Sequence, residues 1–235
     1  MTGLDREKLV KMIDHTELSP QAGEARIADL CAEARRYGFH AVCVNGGHVR
    51  LAFERLRGSG VVVCAVAGFP LGAGSSAAKA FEAAEAVKNG AAEIDTMINI
   101  GALLDKKLDL VRDDIRVMVE ASGPALVKVI LETCLLNDEE IVAACKLAVE
   151  AGAKYVKTST GFGTHGATLA HVRLMRRAVG PDIGVKASGG IRNLDDARRL
   201  IRAGASRLGL SASKAIVEEL AHEKKAKQDP KDNHG

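Results

Sequence analysis

Short apolar, β-branched runs recur along the chain at residues 11–16 (KMIDHT), 41–45 (AVCVN), 61–67 (VVVCAVA), 93–99 (EIDTMIN), 126–132 (LVKVILE), 155–160 (YVKTST), 184–188 (GVKAS) and 207–211 (RLGLS). Each has the length and side-chain character of a strand. Between them, stretches rich in Ala, Glu and Lys show helical spacing at residues 22–37, 48–57, 76–89, 109–121, 138–151, 168–179, 194–203 and 213–225. The segments NGAAEID (89–95), AGAKYVK (151–157) and AGASRLG (203–209) each close a helix with glycine, the expected left-handed cap, and enter the next strand. Alternating strands and helices predict a parallel sheet with right-handed crossovers. Eight such units favour an α/β fold of the closed (β/α)8 TIM-barrel type over the alternative, an open doubly wound sheet.

The length, 235 residues, suits one barrel, so residues 1–222 are read as a single domain. Residues 223–235 (EKKAKQDPKDNHG) form a charged, proline-broken tail expected to be disordered. With 47% hydrophobic but only 3% aromatic residues, the core has to be built from small aliphatic side chains, as in parallel strands covered by helices. The 33 basic and 30 acidic residues are interspersed, which argues against a nucleic-acid surface. No window approaches the roughly 20 apolar residues of a membrane span, and the N-terminus lacks the apolar run of a signal peptide. Five scattered cysteines without a C-x-x-C pair fit reduced thiols. The expectation is a soluble cytoplasmic protein, without a membrane or nucleic-acid partner.

In a barrel, the C-terminal strand ends meet at one mouth, and the polar residues there are Asp14, Asp95, Lys157 and Lys186. Alternation turns Val156 and Val185 towards the helices and Lys157, Ser159, Lys186 and Ser188 inward. Two buried ammonium groups are costly unless they pair with a core carboxylate such as Asp95 or Glu132, or serve as a reactive amine. A neighbouring cation and partial desolvation expose a lysine lone pair for attack on a carbonyl. Asp95 has inward parity and can hold a lysine or pass protons, while Glu93 shares that parity one layer deeper. Asp14, in the short IDHT segment, reads equally well as a helix cap.

Gly161, Gly189, Gly190, Gly209 and Ser211 follow strands 6, 7 and 8, where exposed backbone N–H groups can cradle a phosphate. The GFPLGAGSS loop (68–76) reads as unspecific loop. The seven histidines show no H-x-x-x-H or paired Cys/His spacing, His40 and Cys43 are expected to flank a strand without converging, and neither a Walker nor a dinucleotide motif occurs. No metal or other cofactor is expected.

The segments EIDTMINIG, LVKVILETCLL, YVKTSTGFGTHGAT, GVKASGGIRNLDDA and RLGLSAS, in this order between about Asp14 and Ala215, resemble the deoxyribose-phosphate aldolases. The resemblance implies a metal-free class I aldolase that interconverts 2-deoxy-D-ribose 5-phosphate with acetaldehyde and D-glyceraldehyde 3-phosphate. Lys157 would form the Schiff base, Lys186 would be the second lysine that activates it, and Asp95 would be the acid/base residue working through water. Gly161, Gly189, Gly190, Gly209 and Ser211 would hold the phosphate, and Asp14, Thr16 and Thr160 would line the substrate end. A homo-oligomer, dimer or tetramer, is expected. The chain departs from many relatives in having GGH after AVCVN, Ala212 in place of a second serine, and no tyrosine in the tail, since Tyr37 and Tyr155 are the only two. A phosphosugar isomerase or synthase, with lysines neutralising an enediolate, and a non-catalytic phosphometabolite-binding protein are the competing readings.

Overall fold

The computed structural model describes residues 4–228, with side chains through Glu223. Eight parallel strands close into a barrel in sequence order: β1 Ile13–Glu17, β2 Ala41–Val44, β3 Val62–Ala67, β4 Glu93–Met97, β5 Leu126–Ile130, β6 Tyr155–Lys157, β7 Gly184–Ser188 and β8 Arg207–Leu210. The closure, in which β1 pairs with β8, removes the open-sheet alternative. Ten helices follow in chain order: α1 Arg6–Val10, α2 Glu24–Tyr37, α3 Val49–Leu56, α4 Ser76–Lys88, α5 Ile100–Leu104, α6 Leu108–Ala121, α7 Asp138–Glu150, α8 Leu169–Val179, α9 Leu194–Ala203 and α10 Ser213–Gln228. None is long and apolar enough to cross a membrane.

Local chemistry sets these boundaries. Asn137 and Glu140 form a capping box that starts α7, and Thr168 and Asn193 cap α8 and α9. The three glycines expected after helices, Gly90, Gly152 and Gly204, all have positive φ. Two helices, α1 and α5, fall outside the expected elements because five residues are too few to display a period. The run 93–99 contains two elements: β4 ends at Met97, and Asn99 caps α5 by accepting from the Ala102 N–H. Helix α10 continues to Gln228, past the boundary expected at 222, while residues 229–235 of the expected tail lie outside the described residues.

Strand alternation sorts the core into two unlike halves. Outward residues such as Val42, Val63, Ile94, Val129, Val156, Val185 and Leu208 belong to the large apolar core under the helices. Inside the barrel, Ala41, Cys43, Cys64 and Val66 form a separate apolar cluster with Leu18 on the β1–β3 side. The inward residues of β4 to β8 include Glu93, Asp95, Lys128, Lys157, Lys186 and Arg207, and that concentration of charge positions the site.

Candidate active site

Strand register brings the charged residues together. Lys157 and Lys186 are partners across β6 and β7, and Asp95 and Lys128 are partners across β4 and β5. The Asp95 carboxylate sits at the centre. Its Oδ2 accepts from Lys157 Nζ and Lys186 Nζ, both at 2.8 Å, and its Oδ1 accepts from Lys128 Nζ at 2.7 Å. Lys186 also donates to Asp14, and Arg207 joins Asp14 (2.8 Å) to Glu93 (3.0 Å). Lys128 completes the ring by pairing with Glu93 at 2.6 Å.

The charges in this ring do not balance. Three carboxylates (Asp14, Glu93 and Asp95) face four cations (Lys128, Lys157, Lys186 and Arg207), all of them buried. Burial favours a protonated Asp95, but Lys128, Lys157 and Lys186 more than offset it and hold the carboxyl well below the usual carboxylate range. Glu93 is lowered in the same way against burial by Lys128, His40 and Arg207, and Asp14 by Lys186, Lys128 and Arg207. Burial works to discharge Lys186, yet Asp14 and Asp95 prevail and keep it an ammonium well above the ordinary lysine range. Lys128 is raised likewise, against burial, chiefly by Asp95. Among the described residues, Lys157 pairs only with Asp95, through an oxygen that it shares. It is also the one of the four that lines the cavity above.

That cavity, of about 420 Å³, opens at the C-terminal strand ends. Of the expected residues, Thr16, Lys157, Thr160, Gly161, Gly189, Gly190, Gly209 and Ser211 line it, while Asp14, Asp95 and Lys186 lie in the layer beneath. The N–H groups of Gly161, Gly189 and Gly190 have no partner among the described residues, and α10 begins directly after Ser211 and Ala212, so one wall presents free donors. Gly209 has a second role: a Cβ there would come within 3.0 Å of Lys186 Cε, so the missing side chain makes room for the lysine.

Several expectations need correction. Asp14 is a fully buried strand residue in the ion ring, not a helix cap. His40 and Cys43 do not meet each other, as expected, but each approaches acidic groups of the ring. His40 Nε2 lies 2.9 Å from Glu93, and Cys43 lies near Cys64 and Asp95. Lys128, Lys186 and Arg207 already neutralise these carboxylates, so a cation there would meet like charge. The GFPLGAGSS loop contributes Phe69, whose ring centroid is 5.9 Å from Lys157 Nζ and which meets Phe162 edge-on at 5.5 Å. Neither tyrosine lines the cavity: Tyr37 bonds Glu218 on α10, and Tyr155 lies against the Arg207 guanidinium.

Lys128, Arg207 and Phe69 are site residues that the sequence reading passed over. For Lys128 a signal existed, since Val127 and Val129 face the helices and the same alternation that turned Lys157 inward applies to it.

A family model described as DeoC/LacD family aldolase matches residues 8–219. A deoxyribose-phosphate aldolase of Geobacillus sp. is 58% identical over 211 residues, 89% of this chain and 95% of the relative. That of Lysinibacillus sphaericus is 56% identical over 215 residues, 91% of this chain and 96% of the relative. Among solved structures, a deoxyribose phosphate aldolase from Aeropyrum pernix, described as a tetramer, superposes with a TM-score of 0.86 at 34% identity, covering 92% of each chain. With the barrel, the buried lysine pair and this similarity along nearly the whole length, the chain belongs to the DeoC/LacD family of aldolases.

Proposed function

We propose that this protein reversibly cleaves 2-deoxy-D-ribose 5-phosphate to acetaldehyde and D-glyceraldehyde 3-phosphate as a class I aldolase, with Lys157 as the amine that forms the Schiff base. The observation that carries the reading is the Lys157 amine at the cavity floor, sharing one Asp95 oxygen with a second, permanently charged lysine. Lys157 is the member of the ring that lines the cavity, and a neutral amine is what attacks a carbonyl.

In the cleavage direction the amine adds to the aldehyde carbon of the sugar. The resulting carbinolamine loses water and becomes an imine. Asp95, hydrogen-bonded both to that nitrogen and to Lys186, passes the protons that these steps move. Loss of the proton from the sugar's C3 hydroxyl then breaks the C2–C3 bond. The electron pair flows into the imine and gives an enamine, and the phosphorylated aldehyde leaves. Protonation of the enamine carbon and addition of water release acetaldehyde and restore the amine. No step calls on a metal, since the protonated imine is itself the electron sink.

The free N–H groups of Gly161, Gly189 and Gly190, with Ser211, are suited to the phosphate, and Thr16 and Thr160 to the sugar end. The five cysteines are all free, which fits a reducing cytosol, and a homo-oligomer is the expected assembly.

Borohydride reduction in the presence of acetaldehyde tests the assignment. One ethyl group is expected on Lys157, together with turnover of the phosphorylated sugar. A label mapped to any other lysine sinks the role given to Lys157, and absence of both label and turnover sinks the reaction.

A further inference from the structure

Glu132, two residues past the end of β5, is in an unusual state. Its backbone is left-handed, with φ of 55°, a conformation shared among described non-glycine residues only with Lys106. Such a conformation is strained for a residue with a side chain and persists where the surroundings demand it. The carboxylate is buried and has no cationic partner among the described residues. Its contacts come from the turn after β6 instead. The Thr160 N–H donates to both carboxylate oxygens, at 3.3 and 3.4 Å, and the Thr160 hydroxyl donates to one of them. The hydroxyl oxygen in turn accepts from the Phe162 N–H at 3.0 Å. Gly163 then passes so close that a Cβ would sit 3.1 Å from the Glu132 carboxyl carbon.

Residues 160–163 are therefore folded around one carboxylate. They form the shared wall of two spaces: the large cavity over Lys157, and a smaller apolar chamber of about 130 Å³ bounded by Pro70, Leu71, Ile100 and Leu135. Gly161, a member of the proposed phosphate cradle, lies inside this turn, and Phe162 braces Phe69 over Lys157. With its proton committed to Glu132, the Thr160 hydroxyl can offer a substrate only an acceptor.

We propose that Glu132 is a positioning residue that, through Thr160, holds the 160–163 turn in the shape that makes the enzyme prefer a phosphorylated substrate. The inference rests on the aldolase reading above. It assigns Glu132 to substrate discrimination and leaves imine chemistry to Lys157, Asp95 and Lys186.

The test compares 2-deoxyribose 5-phosphate with unphosphorylated 2-deoxyribose in the wild type and in E132L, T160V, T160S and the E132L/T160V double variant, with thermal unfolding as the check on folding. Losing a charge-assisted hydrogen bond should raise KM for the phosphorylated sugar about tenfold or more in E132L and T160V. In E132L, borohydride trapping of acetaldehyde and kcat/KM for unphosphorylated deoxyribose should stay within about twofold. T160S keeps the hydroxyl and should resemble the wild type, and the double variant should be no worse than either single one. Should E132L fail to fold, E132Q, which keeps the shape, carries the same comparison with a smaller expected KM change.

Equal losses on both sugars, slower trapping, or additive effects in the double variant would overturn the role given to Glu132, and so would no change at all. A wild type that neither traps acetaldehyde nor cleaves the phosphorylated sugar removes the aldolase reading, and this proposal with it. A competent wild type with an indifferent E132L removes this proposal alone.

Discussion

Replacement of Lys186 by methionine tests the proposed electrostatic activation of Lys157. Both ammonium nitrogens lie 2.8 Å from the same Asp95 oxygen, so they are separated by no more than twice that distance. At about 5.6 Å and an effective dielectric of about 20, two unit charges repel by roughly 3 kcal/mol. Lys186 is an ammonium throughout the neutral and moderately alkaline range, because Asp14 and Asp95 hold its proton against burial, so the repulsion is present at assay pH. K186M removes it and leaves the shared Asp95 oxygen to Lys157 alone, and both changes favour the charged, unreactive amine. The added methionine surface opposes them by desolvation, but the loss of a full charge at this distance outweighs one apolar contact. Roughly 3 kcal/mol corresponds to about a hundredfold change in the balance of amine and ammonium.

The assay is the rate of borohydride trapping with acetaldehyde as a function of pH, which reads the nucleophile without requiring Lys186 to move protons. Trapping by K186M is expected to fall about a hundredfold at neutral pH and to recover as the pH is raised. Arg207 still holds Asp14 at 2.8 Å, so the ring keeps a partner for that carboxylate, and circular dichroism and thermal unfolding establish that the variant is folded. A folded K186M whose trapping profile coincides with the wild type, or lies to its acid side, refutes the electrostatic role and leaves Lys186 a proton carrier.

Two further outcomes follow from the buried charges. Asp14, Glu93 and Asp95 all have folded-state acidities lowered from the unfolded carboxylate range, so the stability they contribute is present above about pH 4 and is lost as the pH falls further. Urea denaturation between pH 5 and pH 3 should show this decline, and E93Q should flatten it; an unaltered slope in E93Q would count against the linkage. Away from the site, Lys79 and Asp114 form a buried ion pair between α4 and α6, supported by Ser76 and the Met97 carbonyl. K79M should cost about 3–5 kcal/mol in urea denaturation by stranding the Asp114 carboxylate, and K79M/D114L should regain most of it. A double variant as unstable as K79M would show that the loss is one of packing.

The alternation of strand and helix, the count of eight units and the inward parity of Lys157, Lys186 and Asp95 were legible in the sequence, because each depends on neighbours a few residues apart. Period-two alternation and glycine or asparagine caps are local, and the chain writes them directly. Helices α1 and α5 escaped for the same reason: five residues carry too little period to read. Of the two pictures of Lys157 and Lys186, the pairing with a core carboxylate is present, since both bind Asp95, while the reactive role is proposed for the one that reaches the cavity.

Which charges share a ring depended on barrel closure and register, which join Asp14 to Arg207 across 193 residues and Lys186 to Asp14 across 172. The surplus of one cation exists only once Lys128 and Arg207 are counted with the others, and their separate strands give no hint of a common partner. The same holds for Phe69 and Glu132. The first read as part of an unspecific loop and the second as a carboxylate partner for a buried lysine, whereas the structure sets the Phe69 ring over Lys157 and folds the 160–163 turn around Glu132. Local pattern therefore decides which residues face the barrel axis, whereas long-range closure decides which of them meet, because ion pairing and steric approach act through space and not along the chain.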